Sequence, residues 1–269
     1  LNKGDLVIAC FGHSSDTEGE ASDRTFALPE VDKKMLASLS GCKKPIIGVV
    51  NAGGNIEMQG WVPTLKGLIW AFYGGQEAGT AVGEALFGKI NPSGKLPMTF
   101  EKKWEDNPAY NSYYDPDGDK HVAYTEGIFI GYRGYDKLKR EVQYPFGYGL
   151  SYTTFKLSDL TVSKPNADGT VEVTCRLANT GKRDGAQVVQ AYVGKTESSP
   201  VERPEKELRK FEKVFLKAGE STTVKMTLPK ESFMYFDVNS TQFVTDPGTY
   251  NIMLGFSSRD IKIQKNIQY

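Results

Sequence analysis

Apolar positions along this chain change their period near residue 155. Before that point three short runs are apolar on successive residues: Leu6 to Phe11, Pro45 to Val50 and Leu68 to Tyr73. Between and after them lie stretches of helical character, 29–40, opened by Pro29, and about 76–87. Strands that are apolar on both faces and separated by helices predict a parallel sheet covered on both sides. Three such strands make a unit smaller than a full doubly wound domain, so further chain is expected upstream.

After residue 155 the period is two. Val171, Val173, Cys175 and Leu177 are expected to face inward, with Glu172, Thr174 and Arg176 outward. Val224, Met226 and Leu228 share one face of a second run, and Tyr250, Ile252, Leu254 and Phe256 share one face of a third. Turns at 166–169 and 217–220 divide the runs, and the pattern predicts an antiparallel sandwich of about seven strands. A fibronectin type III-like module fits best. Residues 88–150 show no clear period and are rich in Gly, Pro, Asn, Asp and Tyr. A loop of that length is usually functional or wraps a neighbour. The expected organisation is an α/β partial parallel-sheet sandwich domain over 1–100, a long connecting segment over 101–154 and an all-β fibronectin type III-like sandwich over 155–269.

Composition changes this picture little. With 33 Lys plus Arg against 33 Asp plus Glu, the chain has no net charge to attract nucleic acid or an anionic membrane. Aromatics at 12% suit a hydroxyl-rich neutral ligand such as a sugar. Three cysteines, Cys10, Cys42 and Cys175, without CxxC spacing argue against a disulfide framework or a zinc site and are expected to be buried free thiols. No apolar run approaches a membrane span. The N-terminus does not read as a signal peptide.

The chemistry concentrates in residues 19–30, GEASDRTFALPE, between the first strand and the first helix. A polar, glycine-containing loop at the end of a buried strand is where open α/β sheets place function. Glu20 lies in this stretch and Glu18 directly before it, beside Asp23 and Arg24. For either glutamate the plain alternative is a solvated loop carboxylate. Asp23 and Arg24 are expected to form an ion pair that orders the loop, with substrate contact as the other reading.

Four ordered stretches resemble family 3 glycoside hydrolases, a group of retaining β-glucosidases and related exo-acting enzymes. They are Glu20-Ala-Ser-Asp-Arg-Thr ending in Leu28-Pro29; Ala85-Leu-Phe-Gly88 followed by Asn91 to Phe100; Tyr124 to Arg133 leading to Tyr135-Asp136; and Tyr144 to Phe155. The resemblance implies that the whole enzyme releases terminal, non-reducing β-D-glucosyl units from a β-glucoside or oligosaccharide, without metal or organic cofactor. It also implies that a β/α barrel supplies the nucleophilic aspartate and the α/β domain the acid/base glutamate. Glu20 matches the family position by its spacing to Asp23-Arg24, and Glu18 is its rival. A barrel needs roughly 250 residues, so the N-terminal barrel is expected to be missing here and the chain inactive alone. The competing class is a non-enzymatic carbohydrate- or protein-binding fragment; a nucleotide-binding α/β protein is more distant.

Other motifs read as structural. Asp115-Pro-Asp-Gly-Asp-Lys with Glu126 has carboxylates at calcium-loop positions, but Lys120 stands where the loop needs glycine. Asn51-Ala-Gly-Gly54 and Gly74-Gly75 lack the remaining features of phosphate cradles and are expected to be tight turns. His13 and His121 lack partners at metal spacing. The tyrosines and Trp104 between 104 and 152 are candidates for stacking on sugars or for packing.

Overall fold

The computed structural model describes residues 4–20, 23–115 and 118–269. Ala21 and Ser22 of the candidate loop, and Pro116 and Asp117 of the candidate calcium segment, lie outside the described residues. The chain forms two compact units, one of residues up to Ile90 with Phe100–Asn107, the other of Asn91–Thr99 with Pro108–Tyr269.

The first unit contains β1 (Val7–Gly12), α1 (Glu30–Ser38), β2 (Ile46–Asn51), β3 (Gly67–Trp70), α2 (Ala78–Leu86) and the two-residue β4 (Phe100–Glu101). The order β1-β2-β3 is parallel throughout, with Val7 opposite Ile46 and Ile47 opposite Gly67. This register aligns the carboxyl ends of the strands: Gly12 pairs with Asn51 and Val50 with Trp70. Gly12 has φ +140°, and a β-carbon there would collide with the Asn51 carbonyl, so only glycine lets the two strand ends approach. Phe11 packs edge-on against Trp61, centroids 4.9 Å apart.

Three expectations need correction. The third strand stops at Trp70, not Tyr73, because Phe72 takes a left-handed conformation (φ +51°) that no strand accommodates. The sheet is covered on both faces at its central strand, where Val49 and Val50 are both buried, but not at the edge strand β1: Ala9 and Phe11 are buried, whereas Ile8 and Cys10 on its other face are exposed. Cys10 is therefore not a buried thiol; only Cys175 is. Helix α1 buries no residue, and its Val31 is 71% exposed.

The second unit holds α3 (Gly131–Lys137), β5 (Val142–Tyr144), β6 (Phe155–Val162), β7 (Val171–Asn179), β8 (Gly185–Lys195), β9 (Glu207–Leu216), β10 (Ser221–Leu228), β11 (Met234–Asp237), β12 (Gln242–Thr245), β13 (Thr249–Ser257) and β14 (Asp260–Gln268). One antiparallel sheet runs β10-β7-β6 and the other β14-β13-β8-β9, seven strands in all, with β11-β12 as a separate hairpin. The alternation read from sequence holds: Val171, Val173, Cys175, Leu177, Val224, Met226, Leu228, Tyr250, Ile252 and Leu254 are all buried in one core. The turns fall where expected, with Gly169 N–H donating to Asn166 O and Glu220 N–H to Lys217 O.

Much of the unperiodic segment packs within this unit. Tyr132 stacks on Phe146 at 5.0 Å and accepts a hydrogen bond from Leu208 N–H through its hydroxyl. Asp136, on α3, pairs with the buried Lys206 ammonium at 2.7 Å and with Arg259 at 3.2 Å. Among the described residues no helix is long and apolar enough to cross a membrane.

Candidate active site

The aligned strand ends of the first unit gather three loops: 13–24 after β1, 52–60 after β2 and 71–77 after β3. Polar side chains meet there. The loop after β1 is started by a turn in which Thr17 and Glu18 N–H donate to Ser14 O. His13 N–H donates to Asn51 O at 2.7 Å, tying the loop's first residue to the neighbouring strand.

Glu18 is held from all three loops. Its Oε2 accepts from the Tyr73 hydroxyl at 2.6 Å and from Gly53 N–H at 3.2 Å, while Oε1 lies 3.3 Å from Arg24 Nε. Arg24 in turn donates to Asn55 O at 2.7 Å and to Thr25 O at 3.1 Å. Arg24 thus pairs with Glu18, across five intervening residues. Partial burial alone would raise the Glu18 carboxyl; the Tyr73 hydroxyl, the Gly53 amide and Arg24 outweigh it and hold the group below the ordinary carboxylate range. Burial, reinforced by the bond to Glu18, pushes Tyr73 upward.

Glu20 presents the opposite environment. It is exposed, and its carboxylate has no hydrogen-bond or ion-pair partner among the described residues. It stands between two fixed points, Glu18 before it and Arg24 after it. Asn55, whose carbonyl Arg24 engages, is buried and donates from Nδ2 to the main-chain carbonyl and to Oε2 of Glu101, at 3.0 and 3.1 Å.

Two family models match the chain: the glycosyl hydrolase family 3 C-terminal domain over residues 1–132 and a fibronectin type III-like domain over 187–258. The chain belongs to glycoside hydrolase family 3, and corresponds to that family's C-terminal domains. A thermostable β-glucosidase B of Acetivibrio thermocellus is 38% identical across 99% of this chain and 35% of its own length. An exo-α-(1→6)-L-arabinopyranosidase of Bifidobacterium longum is 37% identical over 96% of the chain and 34% of its own. The crystal structure of a family 3 β-glucosidase of Bifidobacterium adolescentis superposes with a TM-score of 0.94 at 36% identity, over 99% of this chain and 39% of that one. A β-glucosidase 3B of Thermotoga neapolitana, solved with α-D-glucose, gives 0.90 at 34% identity over 99% of this chain and 38% of that one. The chain thus spans about a third of the length of these family 3 relatives.

Other candidates fall elsewhere. Asp115 accepts from Gly118 and Lys120 N–H, both at 2.8 Å, and Glu126 accepts from the Ser112 hydroxyl at 2.7 Å. Asp115 is thus engaged in a local turn, and Glu126 in a contact with a residue fourteen positions earlier. Among the described residues no group of three or more His, Cys, Asp or Glu is placed to hold a metal. In the Asn51–Gly54 stretch Asn51 ends β2, Gly53 and Gly54 form a bend, and the Gly53 N–H is taken up by Glu18. His13 is buried, with Nδ1 3.2 Å from Thr17 Oγ1, and burial followed by the charge of Arg24 lowers its pKa. His121 is exposed beside Asp119. Trp104 lies near Phe26, centroids 6.3 Å apart, and Tyr144 stacks on Tyr148 at 5.1 Å, whereas Tyr124 is 81% exposed. An open cavity of about 410 Å³ in the second unit includes Asp136, Lys206 and Arg259, already paired with one another.

Sequence reading missed Tyr73 and Gly53. Tyr73 closes an apolar run, and only the following Gly74-Gly75 signals in sequence that the strand has ended. Nothing in a one-dimensional pattern links residue 18 to residues 53 and 73.

Proposed function

We propose that this chain is the acid/base-bearing part of a retaining exo-acting β-glucosidase, and that Glu20 carries the proton. In this reading the whole enzyme hydrolyses terminal, non-reducing β-D-glucosyl residues. The nucleophilic aspartate comes from the barrel that family membership implies and that this chain does not contain. The observation that supports Glu20 is the contrast on the loop itself. An acid/base carboxyl must hold a proton at working pH, release it to the leaving oxygen and then take one from water. Glu18 already accepts from three groups that favour its ionised form, whereas Glu20 is unencumbered. In a retaining enzyme the two carboxyls stand about 5 Å apart, so a barrel carboxylate brought over Glu20 would also desolvate it and favour its protonated form.

Glu20→Gln in the whole enzyme tests this. Poor leaving groups should suffer most in glycosylation, because an activated aryl group needs little proton donation. Deglycosylation should slow for every substrate, and azide, which needs no base, should restore turnover as a glycosyl azide. Near-normal activity in that variant would remove Glu20 from the reaction. The 269-residue chain alone should not turn over an aryl β-glucoside, since the partner that acts as one unit with Glu20 is missing. Turnover proportional to the purified chain would refute that. The arabinopyranosidase relative supports a second sugar class, so an aryl α-L-arabinopyranoside belongs in the same substrate panel.

A further inference from the structure

The geometry points to a positioning role for Glu18: with Tyr73, Gly53 and Arg24 it forms a clamp that fixes the loop after β1 across all three strand ends and thereby sets where Glu20 stands. The inference rests on the reading of Glu20 as the acid/base.

Glu18 and Arg24 bracket the stretch that holds Glu20, and each is tied to a different part of the sheet's carboxyl edge. Glu18 reaches the loop after β3 through Tyr73 and the loop after β2 through Gly53. Arg24 reaches the loop after β2 again, through Asn55 O. The two anchors are then joined to each other at 3.3 Å. A loop held only at its strand and helix ends would leave Glu20 free to swing. Closing it at residues 18 and 24 leaves five residues between the fixed points and shortens the span over which Glu20 can move.

Two backbone features accompany the clamp. Phe72 has φ +51°, a conformation costly for an aromatic L-residue, and it turns the chain so that Tyr73 comes to Glu18. At Gly53 a β-carbon would stand 2.8 Å from Glu18 Oε1 and 3.1 Å from the Tyr73 ring, so the site requires the absence of a side chain. A general acid works within a narrow geometry, and a displacement of about 1 Å can cost a hundredfold in rate.

Tyr73→Phe removes one hydroxyl from a half-exposed ring and Gly53→Ala pushes the carboxylate aside, so neither should unfold the unit. In the 269-residue chain, both should speed amide hydrogen exchange of residues 13–24 while leaving the sandwich unchanged. In the whole enzyme both should lower kcat about ten- to a hundredfold, with KM little moved. The dependence of rate on leaving-group pKa should keep its normal slope and azide should give no rescue, because the proton donor is still present. Glu18→Gln, which can still accept from Tyr73 and Gly53, should be milder than Glu18→Ala. Unchanged exchange and unchanged kcat in Tyr73→Phe would overturn the clamp. Azide rescue with steep leaving-group dependence in Glu18→Gln would overturn it too, by making Glu18 itself the proton donor. Failure of the Glu20 reading shows differently, as near-normal turnover in Glu20→Gln, while the exchange measurement judges the clamp without any catalysis.

Discussion

The sandwich and the α/β unit divide burial and chemistry between them in opposite proportions. In the sandwich, strands β7, β8, β10 and β13 turn alternate side chains into one closed core, and Val171, Val173, Leu177, Ile252 and Leu254 are wholly inaccessible. In the α/β unit Val50, Ile56 and Met58 are as well buried, yet Leu6 is 50% and Ile8 42% exposed. Its order goes instead into polar contacts at the strand ends, where Glu18, Arg24, Tyr73 and Asn55 meet. Apolar area removed from water contributes about 25 cal/mol per Å², whereas exposed or half-exposed ion pairs contribute about 0–1 kcal/mol. Stability should therefore reside mainly in one unit and the candidate chemistry in the other.

The sharpest way to break this contrast is to cut the chain. A piece covering 108–269 is expected to melt in one cooperative transition, because it holds the full core and the Asp136–Lys206 pair. A piece of 155–269 should also fold, since its seven strands close their own core, but should melt lower, having lost Asp136 and the Tyr132–Phe146 stack. Residues 1–107 alone should show no comparable transition. Calorimetry on the three pieces checks this, and a cooperative, high-melting α/β piece would reverse the comparison.

Single substitutions probe the same contrast on a smaller scale. Leu254→Ala in the sandwich is expected to cost about 2–5 kcal/mol, the transfer and cavity terms of a buried leucine. Ile8→Ala on the exposed face of β1 should cost under about 1 kcal/mol. Denaturant titration of the intact chain separates the two, and equal losses would mean that Ile8 is buried in solution.

The smallest expected effect is a pH dependence. Glu18 has its folded pKa depressed below the ordinary 4.5. Its contribution is therefore fully present above the unfolded value and is lost as pH falls through the folded one. Stability of the wild type over Glu18→Gln should accordingly be visible near pH 7 and fade in acid, below pH 4.5. A difference that grew on acidification would mean that the carboxyl is held protonated.

The sandwich was readable because a period of two maps directly onto the two faces of a strand. Val173, Met226 and Ile252 are inward on that ground alone. The parallel strands were readable from their apolar runs, as was the loop after β1 from its place at a strand end. The exposure of Cys10 was not, because a run apolar on both faces states what a strand can tolerate and not what covers it. The end of β3 was not, because Phe72 enters a conformation that its residue type disfavours and only its surroundings can impose. Above all, the separate fates of Glu18 and Glu20 were closed to sequence. The two residues share a chemistry and a loop, and what divides them is a tyrosine and a glycine brought alongside by the parallel register of β1, β2 and β3. A linear pattern carries the period of each element; the register between elements is set only when the chain folds.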